Sequence, residues 1–244
     1  MAERPEDIQA LDEIEQKAID EATREFNNFI ATLALIVELS GRKGAKEKRL
    51  SAEIKKMQAF SKDFSLRQAT LAYTQQSDAI LKLLGRSGLT DAQKKELLTL
   101  VNQFKLDLDG KISYLEDKAK RILIRKERQR IRERSMDFEK ADEVRFLRNG
   151  KRVENFELRD SSGRILTVDV LMKVVVGEAV FGSGMAGRMS TMVENGILTG
   201  IHRSIIDDRT TPICLELDGQ ERDLLSDDLP PLHNGCRSWI DPIL

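Results

Sequence analysis

The chain has 244 residues, enough for one or two domains, and its 40 basic side chains nearly balance 41 acidic ones. This balance excludes a net field that would draw the whole molecule to nucleic acid or to an acidic membrane surface. Aromatic residues make up only 5% of the chain, which favours an aliphatic core of the kind that helical bundles use. Two cysteines exclude a disulfide-rich secreted scaffold. No apolar run approaches the roughly 20 residues that span a bilayer, so we expect no membrane partner.

Long helices are predicted for residues 1–150. Proline is absent between residues 6 and 211, and apolar residues recur every three or four positions. Glycine is scarce here and divides these residues at Gly41/Gly44, Gly85/Gly88, Gly110 and Gly150. The apolar positions of the first segment are Ile8, Leu11, Ile14, Ala18, Ala22, Phe26, Phe29 and Leu33, and those of the second are Leu50, Ile54, Met57 and Phe64.

The third helix has the clearest pattern. Thr90 or Asp91 is predicted to cap its start, and Glu96 supplies an acidic side chain to its early turns. A helix of about 40 residues would be about 60 Å long, and its nearly heptad spacing suits long antiparallel packing. We therefore predict a helical hairpin or bundle. The apolar seam of this helix consists of Leu97, Val101, Phe104, Leu108, Ile112, Leu115, Ala119 and Ile122.

A strongly basic run, "DKAKRILIRKERQRIRERS", overlaps the end of this seam. It indicates either a surface that contacts phosphates or an acidic protein, or a solvated helix whose arginines pair with Glu127 and Glu133. No aromatic residue lies among the arginines, which argues against base stacking. The candidates for contact with DNA or with a partner protein are Arg121, Arg125, Lys126, Arg128, Arg130, Arg132 and Arg134.

Composition changes near residue 150, and we predict a small α+β module for residues 151–244. Turn signals at Asn149-Gly150 and Ser161-Ser162-Gly163 enclose a short strand-like alternation. Farther along, "ILTGIHRSIIDD" predicts one strand, and Asp218-Gly219 predicts a hairpin turn. The predicted fold class is thus mainly α, with long N-terminal helices followed by this module.

Between these strand signals, residues 167–196 predict a helix. Thr167 is the expected cap, and Asn195-Gly196 is the expected stop. Four glycines lie inside the helix, where each weakens an isolated helix by up to about 1 kcal/mol. They indicate a kink or close packing against another backbone, and they are Gly177, Gly182, Gly184 and Gly187. A phosphate-binding loop is a poor interpretation, because no strand precedes them and no Lys-Ser/Thr follows.

Both histidines and both cysteines fall in the last fifth of the chain. His233 and Cys236 have the spacing of two metal ligands on a tight turn, and Gly235 allows the chain to turn. Thiolate and imidazole both suit tetrahedral zinc, so Cys214 is a candidate third ligand. The fourth ligand stays open among His202, Asp208, Asp218 and water.

The same residues allow other interpretations. Cys214 and Cys236 could be small buried core residues, with His233 capping a loop. A Cys214–Cys236 disulfide is a third alternative, which a reducing cytosol disfavours. Cys236 and His233 could also form a thiol nucleophile and its base, but three positions apart on one turn is an unusual geometry for that pair, and no orienting acid is obvious.

Two stretches, "IIDDRTTPICLELDGQ" and "PPLHNGCRSW", together resemble the C-terminal signature of tailed-phage minor head proteins, the phage Mu F-like head-morphogenesis family. That signature runs Asp-x-Arg-Thr, Cys, Leu-Asp-Gly, then Pro-Pro-x-His-Pro-Asn-Cys-Arg. The resemblance covers about residues 156–244. It departs at Asn234-Gly235, where the family has Pro-Asn, and at Ser238, where a further cysteine is often found. The matching residues are Asp207 or Asp208, Arg209, Thr210, Cys214, Leu217, Asp218, Gly219, Pro230, Pro231, His233, Cys236 and Arg237.

The resemblance implies a non-enzymatic virion protein, present in few copies inside the head near the portal vertex and in the host cytoplasm during assembly. Its expected partners are the portal protein, a major capsid or scaffold protein, and packaged double-stranded DNA contacted without sequence preference. Two alternatives remain. One is a helical adaptor, unrelated to phage, with a zinc-stapled tail. The other is an enzyme related to ADP-ribosyltransferase toxins, although no Glu-x-Glu lies near the end.

Overall fold

The structure, a computed structural model, describes residues 5–38, 43–135, 158–159, 165–206, 210–226, 228–233 and 235–244. Within the third helix, only the backbone is described for residues 101, 103–107 and 130–135. The chain is mainly helical, with long N-terminal helices and a small three-stranded antiparallel sheet near its C-terminus. This confirms the predicted fold class.

Three long helices make up the first half: α1 spans Glu6–Glu38, α2 spans Lys43–Leu83 and α3 spans Asp91–Ser135. The predicted division at Gly110 is wrong, because α3 continues through that residue. Thr90 caps α3, because its hydroxyl accepts from the Gln93 backbone N–H while the Gln93 side chain accepts from the Thr90 N–H. The predicted apolar positions are buried wherever side chains are described, except that Ile14 is half-buried. Val101 and Phe104 lie outside the described side chains.

The C-terminal elements begin with a short antiparallel pair, in which Leu158 lies opposite Leu166. The main sheet has the order β4-β3-β5, and both of its pairings are antiparallel. The elements are β1 (Leu158–Arg159), β2 (Ile165–Leu166), α4 (Val168–Glu194), β3 (Thr199–Ser204), α5 (Pro212–Leu217), β4 (Glu221–Asp223) and β5 (Ser238–Pro242). The predicted helix at 167–196 and the predicted strand are therefore confirmed as α4 and β3.

A turn is present at Asp218-Gly219, as predicted, but it does not connect two paired strands of a hairpin. The bend is present, and Gly219 has φ +84°, a conformation that favours glycine. It joins α5 to β4, because Pro212 occupies the first turn of a short helix where a strand was expected. The strand that pairs with β4 is β3, which lies earlier in the chain.

The chain divides into two compact units. The first comprises Met1–Thr23, Lys62–Asp107 and Asp169–Leu244, and the second comprises Arg24–Ser61 and Leu108–Val168. The second unit has its own apolar core, in which the rings of Phe26 and Phe29 meet edge to face at 5.9 Å. The domain boundary predicted near residue 150 lies outside the described residues and stays a prediction.

In the first unit, α4 packs directly on the backbone of α2. A Cβ atom added at Gly187 would lie 2.4 Å from the Tyr73 carbonyl O, and one added at Gly184 would lie 2.9 Å from the end of the Leu11 side chain. This confirms close packing for Gly184 and Gly187, whereas a Cβ atom added at Gly182 would meet its nearest neighbour at 3.8 Å, so close packing does not explain that glycine. By length and composition α4 could also span a membrane, but 56% of its most apolar window is buried, as expected of a core helix.

Candidate metal centre

Three short elements carry the candidate centre. Cys214 is on α5, while His233 and Cys236 lie in the connection that leads into β5. The Cys236 backbone N–H donates to the His233 carbonyl O at 3.0 Å, which closes a tight turn, and Gly235 within it has φ +76°. The sequence predicted this turn from the spacing of His233 and Cys236 and from the glycine between them.

Two serines fasten these elements to the sheet. Ser204 on β3 lies directly opposite Ser238 on β5, and their hydroxyl oxygens are 2.9 Å apart. The Ser204 hydroxyl also lies 2.9 Å from the carbonyl O of Cys214, to which it donates. Both serines are buried, so their hydrogen bonds fix α5 against the strands with little competition from water.

The three predicted ligands come together. Cys214 Sγ lies 3.1 Å from His233 Nε2 and 3.8 Å from Cys236 Sγ. All three ligand atoms lie within 4.8 Å of one another, so the cluster could hold a metal ion. Both cysteines are free thiols in this structure. The imidazole of His233 contacts the sulfur of Cys214.

The spacing of these atoms can be compared with that of zinc ligands. Two sulfurs bound tetrahedrally at about 2.3 Å from zinc are about 3.8 Å apart, which is the separation of the two cysteine sulfurs. Sulfur and nitrogen ligands would be about 3.6 Å apart, so the 3.1 Å between Cys214 Sγ and His233 Nε2 must widen slightly. The donor set of two thiols and one imidazole therefore fits zinc after a small rotation of the imidazole.

The surroundings make the two thiols unequal. Burial raises the pKa of the Cys214 thiol, but hydrogen bonds with Ser238, Thr211, His233 and Cys236 outweigh it and leave the pKa below its ordinary value. Burial raises the pKa of the Cys236 thiol above its ordinary value, and the neighbouring Cys214 adds to this rise. Cys214 is thus the thiol of the pair that loses its proton more readily.

A cavity of about 10 Å³ adjoins Cys214 and His233, and Thr210, Thr211, Arg237 and Ser238 are among the residues that line it. This volume is about that of one water molecule or one ion. Cys214 is itself only 3% exposed. The centre therefore has room for an ion but none for an organic substrate beside the sulfur.

The structure places the other signature residues as follows. Thr210 donates through its hydroxyl to the Ile205 carbonyl O at 2.7 Å, and Asp218 accepts from the Ser204 backbone N–H at 2.9 Å. Gly219 forms the bend after α5, and Arg237 lines the cavity. Asp218 is thus committed to the backbone rather than to the metal cluster. Asp208 and Arg209 lie outside the described residues.

His202 is fully buried on β3, but it does not belong to the cluster. Neither ring nitrogen of His202 has a hydrogen-bond partner among the residues that the structure describes. Burial, together with the charge of Arg222, lowers the pKa of His202 to about 4, although the charge of Asp218 acts in the opposite direction. The imidazole is therefore neutral at pH 7.

Two residues of the site were missed from the sequence. The Thr211 hydroxyl lies 2.8 Å from His233 Nε2, and the position of Thr211 before a helix-starting proline was a usable signal. From the sequence, Ser238 was described only as standing where the resembled family often has a cysteine. In the structure its hydroxyl hydrogen-bonds both cysteines and borders the cavity. Its role depends on pairing with Ser204, which no local pattern reveals.

The basic run lies on α3 in the second unit. Arg121, Arg125 and Arg128 are exposed on one helical face and line a groove of about 540 Å³ together with Ile124 and Gln129. Lys126 instead forms an ion pair with Glu38 of α1. The structure thus gathers three of the seven predicted contact residues, and the side chains of Arg130, Arg132 and Arg134 lie outside its described part.

Comparisons of this chain with protein-family models, with curated proteins and with solved structures found no match.

Proposed function

We propose that the chain is a non-enzymatic minor head protein of a tailed phage, held at the portal vertex, and that its C-terminal module is closed by one structural zinc ion. One observation carries the proposal. Signature residues from separate stretches, Cys214 in the first and His233 and Cys236 in the second, converge on one cluster in which both cysteines are buried and the histidine is half-buried. Convergence of this kind supports interpreting the two stretches as one motif.

The chemistry of the cluster favours a structural role. Two thiolates and one imidazole would hold the ion, and a zinc ion in such a set supplies folding free energy by cross-linking its ligands. The cavity of about 10 Å³ has no space for a substrate. Cys214 and Cys236 belong to separate elements, so the cross-link would tie α5 to the segment before β5.

The exposed face of α3 supports the proposed location. Arg121, Arg125 and Arg128 present three positive charges along one side of the helix. Such a face suits the phosphates of packaged DNA, or acidic side chains of a portal wall, and needs no base-specific contact.

The zinc can be tested on the full chain purified under reducing conditions. Metal analysis is expected to return about one zinc per chain, and Cys236→Ser is expected to lower both the zinc content and the unfolding midpoint. Leu225→Ser, at an exposed position in the same module, is the control and should change neither. A reduced wild-type protein that binds no zinc at micromolar concentration contradicts the metal centre.

The location can be tested in infected cells. Mass spectrometry of purified virions should detect the chain at low copy number, and it should cosediment with rings of the portal protein of the same phage. If the chain is absent from virions and copurifies with a cellular protein, the helical adaptor is the better interpretation.

The basic face has its own test. Arg121, Arg125 and Arg128 are changed together to glutamate, and retention on duplex DNA is measured against salt. Each lost phosphate contact should lower the slope of log K against log salt by about 0.9. Reversing three exposed lysines of α2, Lys48, Lys55 and Lys62, makes the same change of net charge and is the control. Equal losses in the two variants contradict a specific role for the α3 face.

A further inference from the structure

The two thiols of the cluster are placed to react with each other as well as to bind a metal. Their sulfur atoms are 3.8 Å apart, and both cysteines are 3% exposed. The chain contains two cysteines in all, so each has the other as its only intramolecular partner. Nearby thiols with this arrangement can join through sulfenic acid chemistry when an oxidant reaches one of them.

Access to the two sulfurs differs. Cys214 borders the cavity of about 10 Å³, whereas Cys236 is not among the described residues that line it. A cavity of this size admits a molecule about as large as water. Hydrogen peroxide is only slightly larger than water, while a bulky disulfide such as oxidised glutathione is far too large to enter.

We propose that Cys214 and Cys236 form a peroxide-sensitive dithiol, in which Cys214 is oxidised first and Cys236 then closes a disulfide. In the first step, peroxide transfers one oxygen atom to the Cys214 thiol, giving a sulfenic acid and one water. In the second step, the Cys236 sulfur attacks the Cys214 sulfur, the S–S bond forms, and the hydroxyl leaves as a second water with the Cys236 proton. Two electrons and two thiol hydrogens are lost in total.

The disulfide and the metal would exclude each other, because both use the same two sulfurs. This part of the inference rests on the proposed zinc centre: the bound ion should protect the thiols, and oxidation of a metal-loaded chain should release the ion. The dithiol chemistry itself requires no metal. The site would therefore be metal-bound under reducing conditions and disulfide-closed after exposure to peroxide.

The test uses the full folded chain, metal-free, treated with hydrogen peroxide and followed by intact mass and thiol titration. The expected product has lost two hydrogen atoms and both thiols, and dithiothreitol restores them. Oxidised glutathione at equal concentration should react far more slowly. A product that gains oxygen atoms without losing both thiols, or equal rates with the two oxidants while circular dichroism shows a folded protein, overturns the proposal.

Two variants locate the first step. Cys236→Ser leaves Cys214 without its partner, so its sulfenic acid should persist. Dimedone is too large to enter the cavity, so it is added together with denaturant after the oxidant is removed, and it should then label Cys214. Cys214→Ser leaves only the thiol away from the cavity, which should react at least tenfold more slowly. Equal dimedone labelling of the two variants contradicts the order of steps. If either variant fails to fold, the wild-type chain is oxidised briefly and then unfolded in dimedone, and peptide mapping of the labelled cysteine gives the same assignment.

A third arm separates this inference from the proposed zinc centre. The wild-type chain is incubated with zinc, freed of excess ion, and then oxidised in the presence of a chromogenic zinc chelator. Protection from oxidation followed by zinc release supports both proposals. Disulfide formation at the same rate with and without added zinc supports the dithiol and contradicts the metal centre.

Discussion

Replacing Gly187 by alanine tests the close approach of α4 to α2, and we expect it to destabilise the first unit by about 3 kcal/mol. A Cβ atom there would lie 2.4 Å from the Tyr73 carbonyl O, whereas ordinary van der Waals contact begins at 3.4 Å. Since a carbonyl inside a helix cannot rotate away as a side-chain end can, the two helices must separate by about 1 Å.

Three contributions set this magnitude. Overpacking a dense interior costs about 1–3 kcal/mol, and an overlap with backbone belongs at the upper end. The separation also breaks the buried hydrogen bond that the Ser77 hydroxyl donates to the Gly187 carbonyl O at 3.1 Å, a loss of about 1 kcal/mol. Alanine recovers about 1 kcal/mol through its higher helix propensity, which leaves a net loss of about 3 kcal/mol.

The same helix supplies graded controls. A Cβ atom at Gly182 would meet its nearest neighbour, the Pro231 ring, at 3.8 Å, so Gly182→Ala should gain about 0.5–1 kcal/mol from propensity alone. A Cβ atom at Gly184 would press on the end of the Leu11 side chain, which can move, so the stability of Gly184→Ala should lie between those of Gly187→Ala and Gly182→Ala. Urea unfolding followed by far-ultraviolet circular dichroism measures all three variants. If Gly187→Ala is as stable as Gly182→Ala, the close backbone approach described here is wrong.

Three further outcomes are expected. The pKa of His202 is about 4 in the folded chain and 6.5 in the unfolded one, so the unfolded state takes up the proton first as pH falls. The free energy of unfolding of the metal-free protein should therefore fall by up to about 3 kcal/mol between pH 6.5 and pH 4. Urea midpoints measured at pH 7 and pH 5 should show a smaller fall for His202→Phe than for the wild type. Ser238→Cys adds a thiol that borders the cavity and should bind zinc at least tenfold more tightly than wild type by competition with a chelator, whereas Ser238→Ala should show no such gain. Arg188→Met removes a buried guanidinium that donates to the Ile240 carbonyl O at 2.7 Å and pairs with Asp7; it should lower the unfolding free energy by about 3 kcal/mol, and an unchanged urea midpoint would contradict that role.

The long helices could be predicted because their signal is local. Apolar residues recur along each segment with the helical period, and the capping residues of α3 stand next to each other in the sequence. The close packing of α4 could also be predicted locally, because several glycines inside one helix are a signal that can be read without knowing their partners. Their partners could not be named, since Tyr73 and Gly187 are 114 positions apart and no pattern joins them.

The strands were harder to predict. Ser238, Trp239 and Ile240 of β5 are all buried, so they lack the alternation that marks a strand with one solvent face, and β5 was not predicted. The three members of the cluster were predicted from residue type and spacing alone. What sequence spacing could not show is that His233 turns to Cys214, and that Asp218 is held by the backbone of Ser204.

The position of the cluster indicates which part of the module a bound metal would stabilise. The centre of the sheet is already held by an apolar core that includes residues from α2, α4 and all three strands or their ends. The connections around the cluster are less supported, since β4 has only three residues and α5 only six. A metal that joins Cys214 to Cys236 would therefore fix these connections rather than the strands. Removal of the metal should speed hydrogen exchange in α5 and in residues 228–237 while β3 and α4 stay protected, whereas loss of protection throughout the module would mean that the ion supports the whole core.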